Sequence, residues 1–261
     1  MSTRQNKLFL SVLAALLTLF LCINPAEVGA DIVISQDTTI SANDFSYDNE
    51  SIVIDGCTVT IDGSHNFQSL TLRNNAVLTH SEATTTTTSK LDLVIASTLT
   101  IDSTSKIDVS GKGYLGGGEG DNSSTKGMTK GNTTEGGSDF YTGGSYGGLG
   151  GIGRSNYLPN VVYGDFTNPN ELGSGGGGST SSGWHGGNGG GLVRITAGSI
   201  QLDGEIRADG GNSNYGGGSG GGIYINMGSL SGAAGKITAN GGTGSSYYGG
   251  AGGGGGRIAV Y

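Results

Sequence analysis

The sequence predicts an all-β fold, a β-solenoid carrying long glycine-rich loops. Three observations lead there. Short motifs recur at a spacing near 30 residues: Leu70-Thr-Leu72 returns as Leu99-Thr-Ile101, Val193 and Ile195 match Ile223 and Ile225, and Gly198-Ser199-Ile200 matches Gly228-Ser229-Leu230. One residue out of step, "GEIRADGG" (204–211) matches "GKITANGG" (235–242), and "SKIDVSGKG" (105–113) is an earlier, looser copy. The recurring segments alternate apolar and polar residues, the period of a strand. No amphipathic helical stripe follows residue 30, and glycine and β-branched residues are weak helix formers. One such repeat cannot bury its apolar face alone, but stacked repeats can. The expected ladders are Leu72, Ile101 and Leu202, then Ile107, Ile206 and Ile237, with Ile223, Ile225 and Ile237 directly on Val193, Ile195 and Ile206.

Residues 1–30 read as an export signal. Arg4 and Lys7 precede the apolar run Leu8 to Ile23, Pro25 breaks it, and Val28-Gly29-Ala30 supplies small residues for cleavage after Ala30. The run is shorter than the roughly 20 apolar residues of a membrane-spanning helix, and no later run is longer. The expected location is therefore secreted, extracellular or at the cell surface. With the signal gone, Cys57 is the one remaining cysteine, so no internal disulfide is available. In "SIVIDGCTVTIDG" it reads as a buried strand residue.

Residues 31–110 contain only Gly56 and Gly63 and form the N-terminal coils, with "DIVIS", "SIVIDG", "TVTIDG", "SLTLRNNAVLTH" and "LDLVIASTLTIDSTSKIDVSG" as short strands. Alternation does not fix topology, and a β-sandwich is the alternative for this part. Nearly all of the 55 glycines lie beyond it. Without a G-X-Y period and with three prolines, they do not make a collagen helix. Residues 111–190 read as a Gly/Tyr-rich loop insertion, and 191–261 as C-terminal coils. Glycine suits coil corners with unusual backbone angles, and the longer runs read as loops extruded from the coils. The chain ends on a strand pattern without a cap, so either another chain or further coils are expected to cover that edge.

The stretches "GGSYGGLGG" (143–151), "YGDFTNPNELGSGGGGS" (163–179), "GGGLVRITAGSIQLDGEIRADGGN", "GGGSGGGIYINMGSL" and "GGGGRIAVY" together resemble a widespread class of glycine-rich parallel β-helix segments. These belong to very large secreted or cell-surface proteins. "QSLTLRNNAVLTHSE" (68–82) looks like the opening coil, so the resemblance covers roughly Gln68 to Tyr261. It implies a right-handed parallel β-helix of pectin-lyase-like architecture with a structural or adhesive role at an extracellular surface.

No catalytic constellation stands out. Gly143–Gly147 and Gly217–Gly221 satisfy G-x-S-x-G, but that motif works only on a strand-to-helix turn. Asp102 and Asp203 occupy matching positions in separate repeats, and Asp55 and Asp62 stand in "IDG". As converging carboxylates they would suit a polysaccharide lyase or glycoside hydrolase, the alternative function. Asp before Gly or Ser is also ordinary turn chemistry. His65, His80 and His185 lack metal-ligand spacing and read as surface or turn residues, His80 pointing outward. No metal or cofactor is expected. The net charge of −8 disfavours nucleic acid as a partner. Tyr141, Tyr146, Tyr157, Tyr163, Tyr215, Tyr247 and Tyr248, with Trp184, sit among Gly, Ser and Asn. Rigid amphipathic rings among small hydrogen-bonding residues make adaptable binding loops. They are the candidate binding residues, for extracellular glycans or cell-surface proteins. Asn49, Asn122 and Asn132 open glycosylation sequons.

Overall fold

A computed structural model describes residues 30–261 except 155, 182 and 246–248. The predicted signal therefore lies outside the described residues, as do Tyr247 and Tyr248. Asp31–Tyr261 form one compact unit, so the expected insertion at 111–190 is not a separate body.

The described chain is all-β. Its strands run β1 (Ile32–Ile34), β2 (Thr38–Ile40), β3 (Ser51–Asp55), β4 (Thr58–Ile61), β5 (Gly63–Phe67), β6 (Ser69–Arg73), β7 (Val77–Thr79) and β8 (Leu91–Ile101). They continue as β9 (Lys106–Asp108), β10 (Leu192–Leu202), β11 (Glu205–Arg207), β12 (Gly222–Met227), β13 (Leu230–Ser231), β14 (Lys236–Thr238) and β15 (Arg257–Val260). Two sheets take them in turn. One has the order β1-β3-β6-β8-β10-β12-β15, with β5 on β8 and β13 on β10; the other has the order β14-β11-β9-β7-β4-β2. All of these strand pairs are parallel. A β-sandwich of 31–110 would need antiparallel hairpins and Greek keys, so that alternative falls.

The expected ladders pair in register. Leu72 faces Ile101, which faces Leu202. Ile107, Ile206 and Ile237 align, and Val193 and Ile195 meet Ile223 and Ile225. These side chains and their neighbours merge into one core between the sheets. Because strand side chains alternate, a slip of one residue would turn each ladder outward. The step between passages is not uniform. Ile52 to Leu70 is a step of 18 residues and Leu70 to Leu99 one of 29. The added length lies between β7 and β8, since Thr60 still pairs with Thr79 whereas Gly63 pairs with Leu91.

The glycine-rich runs are the main departure from expectation: they are not extruded loops. In residues 216–221 successive N–H groups donate to three different neighbours, and every third returns to the same one. Gly216 and Ser219 donate to the carbonyls of Gly177 and Ser174, Gly217 and Gly220 to Ala251 and Gly254, and Gly218 and Gly221 to Gly211 and Ala208, at 2.7–3.0 Å. A three-residue period without bonds inside the segment is that of polyproline II. Residues 173–178 repeat it: Gly173 and Gly176 donate to Gly190 and Gly187, Gly175 and Gly178 to Met128 and Thr125. The runs thus lie side by side as a hydrogen-bonded array continuous with the strands, Gly222 donating to Gly191. Glycine is required there less by backbone angle than by approach. A Cβ at Gly218 would collide with the Asn188 carbonyl and one at Gly216 with the Thr142 carbonyl, and neither glycine has positive φ.

Since those obstacles are backbone, relief requires segments to part. Gly218→Ala is expected to cost about 2 kcal/mol or more, a loss of roughly 4–8 °C in Tm. Gly255→Ala, whose Cβ would meet nothing closer than 3.9 Å, should stay within about 0.5 kcal/mol. Thermal and urea unfolding of the two variants make the comparison, and equal losses would contradict the packing account.

Candidate functional site

The array sorts the candidate aromatics into two groups. Tyr146 is interior, and Tyr163 packs beside it partly buried. Tyr146 is 0 % exposed, its ring 4.9 Å from that of Tyr163 and under the Arg257 guanidinium at 5.5 Å. The Tyr163 hydroxyl donates to the Leu172 carbonyl at 2.6 Å, and Arg257 donates to the Tyr163 carbonyl. Burial pushes the Tyr146 phenol to about 12 and that of Tyr163 well above its usual value. For these two, the expected role in a binding loop gives way to pinning the glycine-rich segment against β10, β12 and β15.

The second group forms a stack that reaches the surface. Phe140 and Tyr141 lie 4.0 Å apart between centroids, Tyr141 and Tyr215 lie 4.9 Å apart, and Phe140 and Tyr215 lie 5.5 Å apart. Tyr157 meets Phe140 edge-on at 6.0 Å, and Trp184 meets Tyr215 at 5.6 Å and 71°. Arg154 covers the Tyr141 ring at 3.9 Å. Tyr141 and Tyr215 are buried at 8 % and 4 % exposure, while Tyr157 and Trp184 are 37 % and 41 % exposed. The array supports the stack: Ala251 N–H donates to the Tyr141 carbonyl, and a loop closed by Ser179 N–H to the Trp184 carbonyl presents the indole. Buried rings thus fix two exposed ones. Phe140, half-buried, was not singled out by the sequence. Its place next to Tyr141 was the available signal.

The candidate acids serve turns. Asp102 accepts from the Asn74 N–H of the preceding passage at 2.9 Å and from the Thr104 N–H and hydroxyl. Burial works to raise its carboxyl, but donors from Asn74, Ser105 and Thr104 outweigh that and hold it at about 2. Asp203 accepts from Ala233 N–H of the next passage, which with Gln201 lowers its pKa. Asp55 is taken up by Arg73 and Asn74, and Asp62 by Ser81 and Ser89. A general acid must hold its proton near working pH, which these environments oppose for all four. The serines of both G-x-S-x-G matches, Ser145 and Ser219, are fully buried and accept from the N–H groups of Gly150 and Ser174. The Cys57 thiol is buried against the Ile34 carbonyl, and burial raises its pKa.

Two histidines correct the expectation of surface positions. His65 is 1 % exposed, in register with Leu93, with Nδ1 2.9 Å from Asp48. His80 is fully buried rather than outward. Its Nε2 accepts the Leu192 N–H at 3.2 Å and its Nδ1 donates to the Ser81 carbonyl at 2.8 Å, which fixes one neutral tautomer. It ties the end of β7 to the start of β10 across the whole glycine-rich excursion. His185 is half-exposed beside Glu119. Among the described residues no group of three or more His, Cys, Asp or Glu is placed to hold a metal, and no helix is long and apolar enough to cross a membrane. Of the sequon asparagines, Asn122 is buried with its amide bonded to Gly116 and Lys126, Asn132 bonds the Thr84 carbonyl, and Asn49 is exposed. Comparison with known protein families, with curated proteins and with solved structures returns no match.

Burial lowers the His80 pKa from 6.5 to about 4. The fold thus favours the neutral ring, and the contribution is complete above pH 6.5. As pH falls from 6.5 the unfolded chain takes up the proton first, and stability declines until the folded ring also protonates near 4. The expected loss is about 3 kcal/mol. Urea unfolding at pH 7, 5.5 and 4 should show this slope in the wild type and a shallower one in His80→Gln; parallel slopes would contradict it.

Proposed function

We propose that the chain is a secreted structural and adhesive module, a right-handed parallel β-helix that contacts glycans of an extracellular surface through Tyr157 and Trp184. The alternation of strands between two parallel sheets, with inward ladders stacked passage on passage, supports the winding. The leader pattern at residues 1–30 supports export. The observation that carries the binding role is the pair of exposed rings held by a buried stack: two rigid, half-exposed aromatic faces on a hydrogen-bonded frame. Aromatic side chains in this setting lose little conformational entropy on binding, and their faces suit the apolar faces of sugar rings. The favoured partner is a polymeric or densely displayed glycan, because several weak contacts on one chain add through avidity.

A glycan array probed with the mature protein tests this reading. Binding is expected for at least one class of surface polysaccharide, with Tyr157→Ala/Trp184→Ala weakening it about tenfold or more. Folding is checked by an unchanged Tm, since both rings are partly exposed. Release of reducing or unsaturated sugars would replace adhesion with enzyme chemistry. Absence of glycan binding with capture of a purified surface protein would move the partner to the protein class.

A further inference from the structure

A second feature lies away from the aromatic stack. A cleft of about 770 Å³ opens where turns of the first passages meet the glycine-rich segment. One side comes from Ser41, Asn43, Asp62 and Thr87–Lys90, the other from Tyr114 and Asn170–Leu172. The volume falls in the range of small-molecule sites, about 300–1,000 Å³.

Its lining has two parts. Tyr114, Leu172 and Leu192 are 3–5 % exposed and belong to an apolar cluster with Leu115 and Met128. They form the floor. The rim is polar, and its charged groups are already engaged: Glu171 with Lys130 at 3.1 Å, Glu82 with Lys112 at 2.9 Å, Lys90 with Asp92 at 2.8 Å. Asp62 accepts from Ser81 and Ser89. What remains uncommitted is neutral. The side chains of Ser41, Asn43, Thr88 and Asn170 are exposed and, among the described residues, carry no hydrogen bond. Two hydroxyls and two carboxamides supply both donors and acceptors around a tyrosine and leucine floor.

We infer that this cleft is a binding site for a short neutral oligosaccharide. A saccharide matches both parts of the lining, offering hydroxyls to the rim and C–H faces to the floor. A uronate-rich chain fits poorly. Each rim cation already has a carboxylate partner, and Asp62, Glu82 and Glu171 would face the ligand's own charge. The inference rests on the glycan reading and adds to it a site distinct from Trp184. On a polymer the two would act together, and a short soluble ligand separates them.

The test uses the mature chain with neutral cello-, xylo- and malto-tetraose and with tetragalacturonate. Calorimetry gives the affinity and amide chemical shifts give the location. The expected result is binding of a neutral tetrasaccharide with shifts at Thr87–Lys90 and Asn170–Leu172, weakened about tenfold or more by Asn170→Trp or Thr88→Trp and less than about twofold by Trp184→Ala. Both cleft positions are exposed, and unchanged amide spectra elsewhere confirm folding. Binding that survives both cleft variants and is lost in Trp184→Ala overturns the cleft while leaving the adhesive reading intact. Preference for tetragalacturonate overturns the neutral class. A folded protein that binds no tetrasaccharide, yet binds polymers on the array, overturns the cleft alone. Silence on both overturns cleft and glycan reading together.

Discussion

The structure depends on how closely one glycine backbone can approach another. In 216–221, N–H groups address three neighbouring segments in rotation, and those neighbours stand where side chains would otherwise be. Buried backbone groups must find partners, and a segment in polyproline II geometry has none within itself. The array solves both problems at once, since segments near enough to bond are too near for a Cβ. A long run that would otherwise lose much entropy on ordering is thereby offset by intersegment bonds. It also becomes the frame that holds Tyr141, Tyr215 and Phe140.

The strands rely on a different device, and the two meet at defined points. Inward ladders such as Leu70–Leu99–Ile200 stack in register, while polar side chains tie one passage to the next at the turns. Asp37 accepts from Thr58, Asp102 from Asn74, Asp203 from Ala233, Asp209 from Asn240 and Asn212 from Thr243, each through a backbone N–H. This gives the acidic residues a structural use, and an acidic chain need not be a catalytic one. His80 joins the systems, accepting the N–H of Leu192 where the chain returns from the array to β10.

Much of the strand architecture could be read in the sequence, because ladder positions carry side chains and side chains repeat. Val193 and Ile195 above Ile223 and Ile225 were visible as a spacing of 30. The shorter early steps were hidden, since Ile32, Ile52 and Leu70 lie in segments too brief to show a period. The array was illegible for a plainer reason: in a run of glycines no side chain marks which carbonyl each N–H will meet, so a hydrogen-bonded segment and a loop look alike. Polarity misplaced His65 and His80, whose partners Asp48 and Leu192 lie 17 and 112 residues away. Composition grouped the tyrosines, but it could not separate Tyr146, which is fully buried, from Tyr157, which is exposed.

The central claim is that the glycine-rich runs are ordered, bonded backbone continuous with the strands. Amide hydrogen exchange tests it most directly. If the claim holds, the N–H groups of Gly217, Gly218, Gly220 and Gly221 exchange as slowly as those of Ile195 and Ile223 and are released with them on unfolding. Exchange of these glycines at the rate of an unstructured peptide, while Ile195 and Ile223 stay protected, would contradict it.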